Sequence, residues 1–138
     1  MADLTQTAAS VVAGAAATKI TVVAGGTITR GMPVYKDSAD DEYKAAQATS
    51  TKYAAEGVAL NDADDGQPLE IVTKDGSFTP GATLVVGVVY AVSATAGKIA
   101  PVADLVSTDY TTVLGVAKTT SVMKLDCQAQ MRAEAPIA

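Results

Sequence analysis

The chain contains no histidine and no tryptophan, and only one cysteine, Cys127, and one phenylalanine. Without histidine it lacks the commonest general base, the usual partner of a serine or cysteine nucleophile and the commonest metal ligand. One cysteine excludes an intrachain disulfide and any zinc site built from several thiolates. Positive charge is also scarce. Ten Lys and Arg against fifteen Asp and Glu leave a net charge of −5. That balance argues against a nucleic-acid partner, whose phosphates need clustered cations.

No apolar run approaches the ~20 residues that a bilayer-spanning helix needs. The longest candidate, residues 8–17, is a short stretch of small residues with no Lys or Arg ahead of it, so neither a membrane span nor a secretory signal is expected. The reading is of a soluble protein made in the cytoplasm. Gly25-Gly26 is not followed by the Gly-Lys-Ser/Thr of a phosphate loop, and no serine sits in a Gly-x-Ser-x-Gly elbow. No enzymatic activity and no cofactor are expected.

What the chain does have is small apolar residues. Hydrophobic residues make up 49% of it and aromatics 4%, so the core must be built mainly from Ala and Val in thin, closely spaced layers. At 138 residues it is one domain that can bury roughly two thirds of its unfolded surface.

Two stretches echo each other. Gly31-Met32-Pro33-Val34-Tyr35 leads to Gly57-Val58-Ala59-Leu60, and Gly87-Val88-Val89-Tyr90 leads to Leu114-Gly115-Val116-Ala117. Between the anchors, Lys44-Ala45-Ala46 matches Lys98-Ile99-Ala100. Tyr35 is thereby aligned with Tyr90, Lys44 with Lys98, and Gly57 with Gly115. Each half-repeat, about 31–61 and 87–118, reads as strand, turn, strand, connector, strand. Gly57 and Gly115 open the closing strands, where a missing Cβ permits a bulge or a close backbone approach.

Around the repeats, Lys19-Ile20-Thr21-Val22-Val23 and Leu69-Glu70-Ile71-Val72-Thr73 read as strands. Thr27-Ile28-Thr29-Arg30 reads as a further short strand. Lys74-Asp75-Gly76-Ser77 reads as a hairpin turn centred on Asp-Gly, and Pro101 reads as the start of a single helical turn. From Met123 to Met131 apolar residues, Cys127 among them, alternate strictly with polar ones, which places one face in a core. Many short strands separated by turn signals, with no long helical period, indicate an all-β fold. The expectation is a small antiparallel barrel or sandwich, tulip-like or jelly-roll-like, over residues 18–138. Residues 1–17 read as an N-terminal arm without a large apolar anchor. Its deletion is therefore expected to leave the domain folded.

Candidate chemistry is sparse. Asp62-Ala63-Asp64-Asp65-Gly66 hints at a calcium loop, but positions six and twelve, counted from Asp62, are Gln67 and Thr73 rather than Gly and Glu. Asp37, Asp40, Asp41 and Glu42 read as charges on an exposed hairpin tip. No metal is expected. Tyr35 and Tyr90 suit either a sugar-stacking platform or packing at the ends of equivalent strands.

The motifs at 31–35, 57–62, 89–98 and 114–117, in that order and spacing, resemble the capsid decoration (cement) proteins of tailed bacteriophages over about 23–125. The resemblance implies a β-rich homotrimer on the outside of a mature icosahedral head. It also implies contact with the major capsid protein at local threefold positions, made in part by a terminal arm. The arm lies outside the matched stretch. Within it, Leu4, Thr5, Thr7, Val11 and Val12 are the expected capsid-binding residues, because small and β-branched residues can lie extended against a neighbour's sheet edge. The resemblance carries no catalytic residue. A second reading, an adhesive or carbohydrate-binding β-domain on a virion or cell surface, stays open at this point.

Overall fold

The computed structural model describes residues 4, 6–15, 17–37, 39–49, 52–102 and 112–126. Cys127, Thr5, the rest of the alternating stretch after Asp126 and residues 103–105 of the expected helical turn lie outside them, while Pro101, expected to open that turn, instead ends a strand. Among the described residues, a 3-10 turn at Ala8–Ser10 is followed by ten strands: β1 (Val11–Val12), β2 (Thr18–Val23), β3 (Pro33–Lys36), β4 (Tyr43–Ala45), β5 (Ala55–Ala59), β6 (Pro68–Pro80), β7 (Val89–Val92), β8 (Ile99–Pro101), β9 (Val113–Ala117) and β10 (Met123–Asp126). The fold is all-β. One antiparallel sheet in the order β4-β3-β5-β6-β10-β9-β7-β8 curls into a half-barrel, the small barrel or sandwich class that the strand spacing indicates.

The thirteen-residue β6 is the spine. On one side it pairs first with β5, through Val58↔Val72 and Ala59↔Ile71, and then with β10, through Met123↔Phe78 and Asp126↔Lys74. On the other side it pairs with β2 and then β1. This corrects the turn expected at Lys74-Asp75-Gly76-Ser77, which lies within β6. Asp75 does not turn the chain. Its side chain is buried, and its carboxylate accepts from the backbone N–H of Gly14 at 2.6 Å and of Ser77 at 2.9 Å. Flanking strands take the backbone ladder, and the pairing with both β2 and β10 shifts register beside this point. Tertiary pairing has overridden a local turn signal. Residues 27–30 also differ from expectation. They form no strand, only the bridge Ile28↔Ala63 and the start of a tight turn.

The registers relate two units. In the first, Pro33↔Val58, Val34↔Gly57 and Tyr35↔Ala55 leave Glu56 bulged; in the second, Val89↔Val116, Tyr90↔Gly115 and Ala91↔Val113 leave Leu114 bulged. Gly57 and Gly115 thus stand at matching points, each opposite the residue before a bulge. An ideal Cβ on Gly57 would lie 2.8 Å from the Val72 carbonyl oxygen, and one on Gly115 would lie 1.9 Å from that of Lys124. Backbone approach is what these glycines allow. The tyrosines, however, are not equivalent. Register places Val34 with Tyr90 and Tyr35 with Ala91, and it places Lys44 with Ala100 rather than Lys98. The sequence alignment was one residue out at the tyrosines and two at the lysines, because short words match by composition while the ladder is set by the bulge.

The concave side of the sheet holds the main core: Tyr35, Val58, Val72 and Phe78 meet Tyr90, Ile99, Leu114 and Met123. A second cluster lies on the convex side of the first unit, where Ile28, Val34, Tyr43, Ala59, Leu69 and Ile71 pack with Ala24 and Ala63. Phe78 and Tyr90 are the largest fully buried side chains, and much of the remaining core is Ala and Val, as composition demands.

Candidate interaction surface

The N-terminal segment is part of the body, which corrects the expectation of a dispensable arm. Leu4 N–H bonds to the Ile99 carbonyl at 2.8 Å and its side chain packs on the main core. The Gln6 side-chain amide donates to the carbonyls of Gly31 and Pro80, both at 2.9 Å, and Thr7 N–H bonds to Gly81 O at 2.7 Å. Val11 is 0% exposed, and its carbonyl accepts from the Arg30 guanidinium. Small as it is, Val11 anchors the segment in the main core. Of the expected capsid-binding residues, Leu4 and Val11 are thus turned to this chain's own core. Thr7 and Val12 are exposed, and Thr5 lies outside the described residues.

The segment also covers sheet edges. Leu4 bonds to β8, while Ala24 bridges Tyr43 and Gly25 N–H bonds to Tyr43 O at 2.7 Å on β4. β2 is left bare: it pairs with β6 alone, so its outer edge has no strand partner among the described residues. Five of its six residues are exposed, Ile20 and Val23 among them. An extended edge of this kind, with Lys19 its only charge, is a template for strand addition.

An apolar patch lies on the other unit. Residues 85–88 form a tight turn closed by Val88 N–H to Val85 O at 3.1 Å, with Gly87 at φ 84°. Glycine is needed at the third position of such a turn, where φ is positive. The turn exposes Val85 and Val86, and Val89 follows at the start of β7. The Tyr90 hydroxyl, buried, accepts from Val85 N–H at 3.0 Å and fixes the turn. The large aliphatic side chains exposed among the described residues are Val85, Val86 and Val89 at this turn, and Val12, Ile20 and Val23 spread along β1 and both faces of β2.

The acidic features hold loops. Lys44 Nζ lies 2.7 Å from Asp37 and 3.2 Å from Asp40, and both carboxylates also accept local backbone N–H groups. The hydrogen bond from Lys44, then that from Ala39 N–H, holds the Asp37 carboxyl below its usual range, and the same ion pairs raise the Lys44 ammonium. Asp62 accepts from Arg30 N–H at 2.8 Å. Shallow, open depressions of about 270 and 440 Å³ border this loop. Among the described residues no group of three or more Cys, Asp or Glu is placed to hold a metal ion. Tyr43 donates to Glu56 at 3.1 Å, and burial, then the neighbouring Glu56 charge, pushes its hydroxyl up to about 12. Tyr35 and Tyr90 are 7% and 1% exposed, so neither forms a stacking platform.

No family model matches the chain, and no curated protein matches its sequence.

Proposed function

We propose that the protein is a structural virion component: a decoration (cement) protein that binds the outside of a mature phage capsid as trimers at local threefold positions and stabilises the shell. It is made in the host cytoplasm, and its partners are the major capsid protein and itself. The observation that carries this reading is an exposed aliphatic turn, Val85 and Val86 with Val89 after it, together with a strand, β2, whose outer edge has no strand partner among the described residues. Singly scattered exposed aliphatics are ordinary, whereas three gathered at a rigid turn, and an unpaired strand edge, suit contact with another protein. The motif resemblance supplies the class of partner. The buried tyrosines take away the feature on which the carbohydrate-binding reading rested.

The test is co-sedimentation of purified protein with undecorated phage heads, followed by image reconstruction of the pelleted particles. Saturable binding, threefold density outside the shell and greater heat resistance of the heads are expected. Failure to bind, or density inside the shell, would sink the reading.

A further inference from the structure

The two units differ in charge. The carboxylates gather early, at 37–42, at Glu56, at 62–65 and at Glu70. After Glu70 the described residues hold Lys74, Lys98, Lys118 and Lys124 against Asp75, which is buried, and Asp126, which is half-buried. Three of these lysines meet on one face. Ala117, Met123 and Leu125 point into the main core, so Val116, Lys118 and Lys124 turn to the convex side. The ladder extends that face: Val89 pairs with Val116, Val116 with Lys124, and Asp126, two residues beyond Lys124, with Lys74. Lys118 N–H bonds to Val122 O at 2.9 Å across the hairpin, and its Nζ reaches the Gly76 carbonyl of β6 at 2.8 Å. Lys74, Lys118 and Lys124 are exposed, and none is ion-paired with a described residue, whereas Lys36 and Lys44 of the first unit are paired with Asp41 and with Asp37 and Asp40.

The exposed valines adjoin the lysines. Leu84 N–H bonds to Thr120 O at 2.7 Å and Gly87 N–H to Ala117 O at 3.0 Å, which sets the turn at 85–88 against the β9–β10 hairpin. The matching turn of the first unit, residues 29–32, is closed by Met32 N–H to Thr29 O at 3.1 Å and is covered: Gln6 bonds to Gly31 O, and a Cβ on Gly31 would lie 3.0 Å from Val11. Nothing lies within 4 Å of a Cβ on Gly87.

We propose that this convex face of the second unit docks a short acidic segment of a protein partner, in which carboxylates alternate with aliphatic side chains. The carboxylates meet Lys74, Lys118 and Lys124, and the aliphatic groups meet Val89 and Val116. The inference rests on the capsid reading above and deepens it, by giving a chemistry to the segment of the shell that this face contacts. Charge complementarity selects the occupant. The whole chain carries −5, so a long polyanion or an anionic membrane is repelled by the body as it approaches. A short segment lying on the face senses mainly the charges within a screening length of about 8 Å at physiological salt, and there the lysines dominate. Valines between them keep water out of the contact, which strengthens each charge pair.

Co-sedimentation with undecorated heads tests this, using the full chain and the variants Lys124→Gln, Lys124→Glu and Lys52→Glu. Lys124 is exposed on the face, and Lys52 is an exposed lysine of the first unit. Unchanged thermal unfolding confirms each fold. Lys124→Glu is expected to weaken binding about tenfold at low salt, Lys124→Gln less and Lys52→Glu not at all, with the differences shrinking at high salt. Equal binding by all four proteins overturns the face and leaves the capsid reading intact. A wild-type protein that does not bind heads removes the capsid reading and this inference with it. Three controls check the class of partner: a duplex DNA oligonucleotide, vesicles of phosphatidylglycerol, and sedimentation velocity of the protein alone. Binding to either probe, or self-association, that Lys124→Glu abolishes would overturn the choice of an acidic segment of another protein.

Discussion

The first and second units use the same registers, the same bulge and the same tight turn, yet the first carries polar groups where the second is apolar, and the second leaves Val85, Val86 and Val89 exposed. Tyr43 and Glu56 of the first unit, joined by a hydrogen bond, correspond to Ile99 and Leu114 of the second, both fully buried. Lys44, which holds Asp37 and Asp40, corresponds to Ala100. Position decides this. The outward-turning face of one unit becomes the inward-turning face of the other once the sheet curls around β6. Equivalent residues therefore face different surroundings, and their side chains follow those surroundings rather than the repeat.

The comparison breaks most sharply at the matched glycines. Gly115→Ala sets a methyl against the Lys124 backbone oxygen, which no rotamer can relieve; a loss of about 4 kcal/mol, or failure to fold, is expected. Gly57→Ala meets the Val72 oxygen at a longer 2.8 Å and should cost less, about 2 kcal/mol, by urea unfolding of both variants. Equal losses would mean that the two bulges are equally tight.

Deleting residues 2–15 removes Val11 from the core, Gln6 from the first turn and a partner from buried Asp75. A loss of about 3 kcal/mol and a clearly lower melting temperature are expected. A truncated protein that melts unchanged would show that the cover on the first unit adds nothing to the fold. The turns themselves should differ. Arg30→Ala removes a bond to the N-terminal segment and should cost about 1 kcal/mol, whereas Val86→Ser, on the bare turn, should change stability by no more than about 0.5 kcal/mol.

The smallest effect concerns pH and belongs to the first unit alone. Tyr43 titrates higher in the fold than when unfolded, so its contribution is fully present below pH 10 and is lost as pH rises toward about 12. The Asp37 carboxyl is lowered instead, so its small contribution is present above its unfolded value of 3.8 and is lost as pH falls below it. Tyr43→Phe should flatten the alkaline limb of a stability–pH curve, while Ile99→Val in the matching position should leave its shape unchanged.

Reading the sequence succeeded where one residue type meets one geometric need. Gly57 and Gly115 were recognisable because only glycine tolerates a carbonyl so close. The strands 19–23 and 69–73 were recognisable by β-branched residues, and the alternation after Met123 by its buried Met123 and Leu125. It failed where a local signal competed with distant partners. Asp75-Gly76 looks like a turn, but two flanking strands and the Gly14 N–H hold it straight. Val11 looks too small to anchor an arm, and only the long-range pairing of β1 with the end of β6 carries it into the main core. Of the candidate interaction surface, β2 was visible as a strand, but its bare edge was not, since an edge is defined by what fails to pair with it.

By itself the sequence determined the class: all-β, with a core of small residues, without the histidine or thiolates that commoner catalytic and metal sites use, and with two related units. Those features depend on composition and on patterns a few residues long. The tertiary structure decided which strand became the spine, which register joined the units, which convex face was covered and which apolar residues were left outside. Those depend on contacts between residues far apart in the chain, and a pattern along the chain carries no information about them until the sheet curls and brings them together.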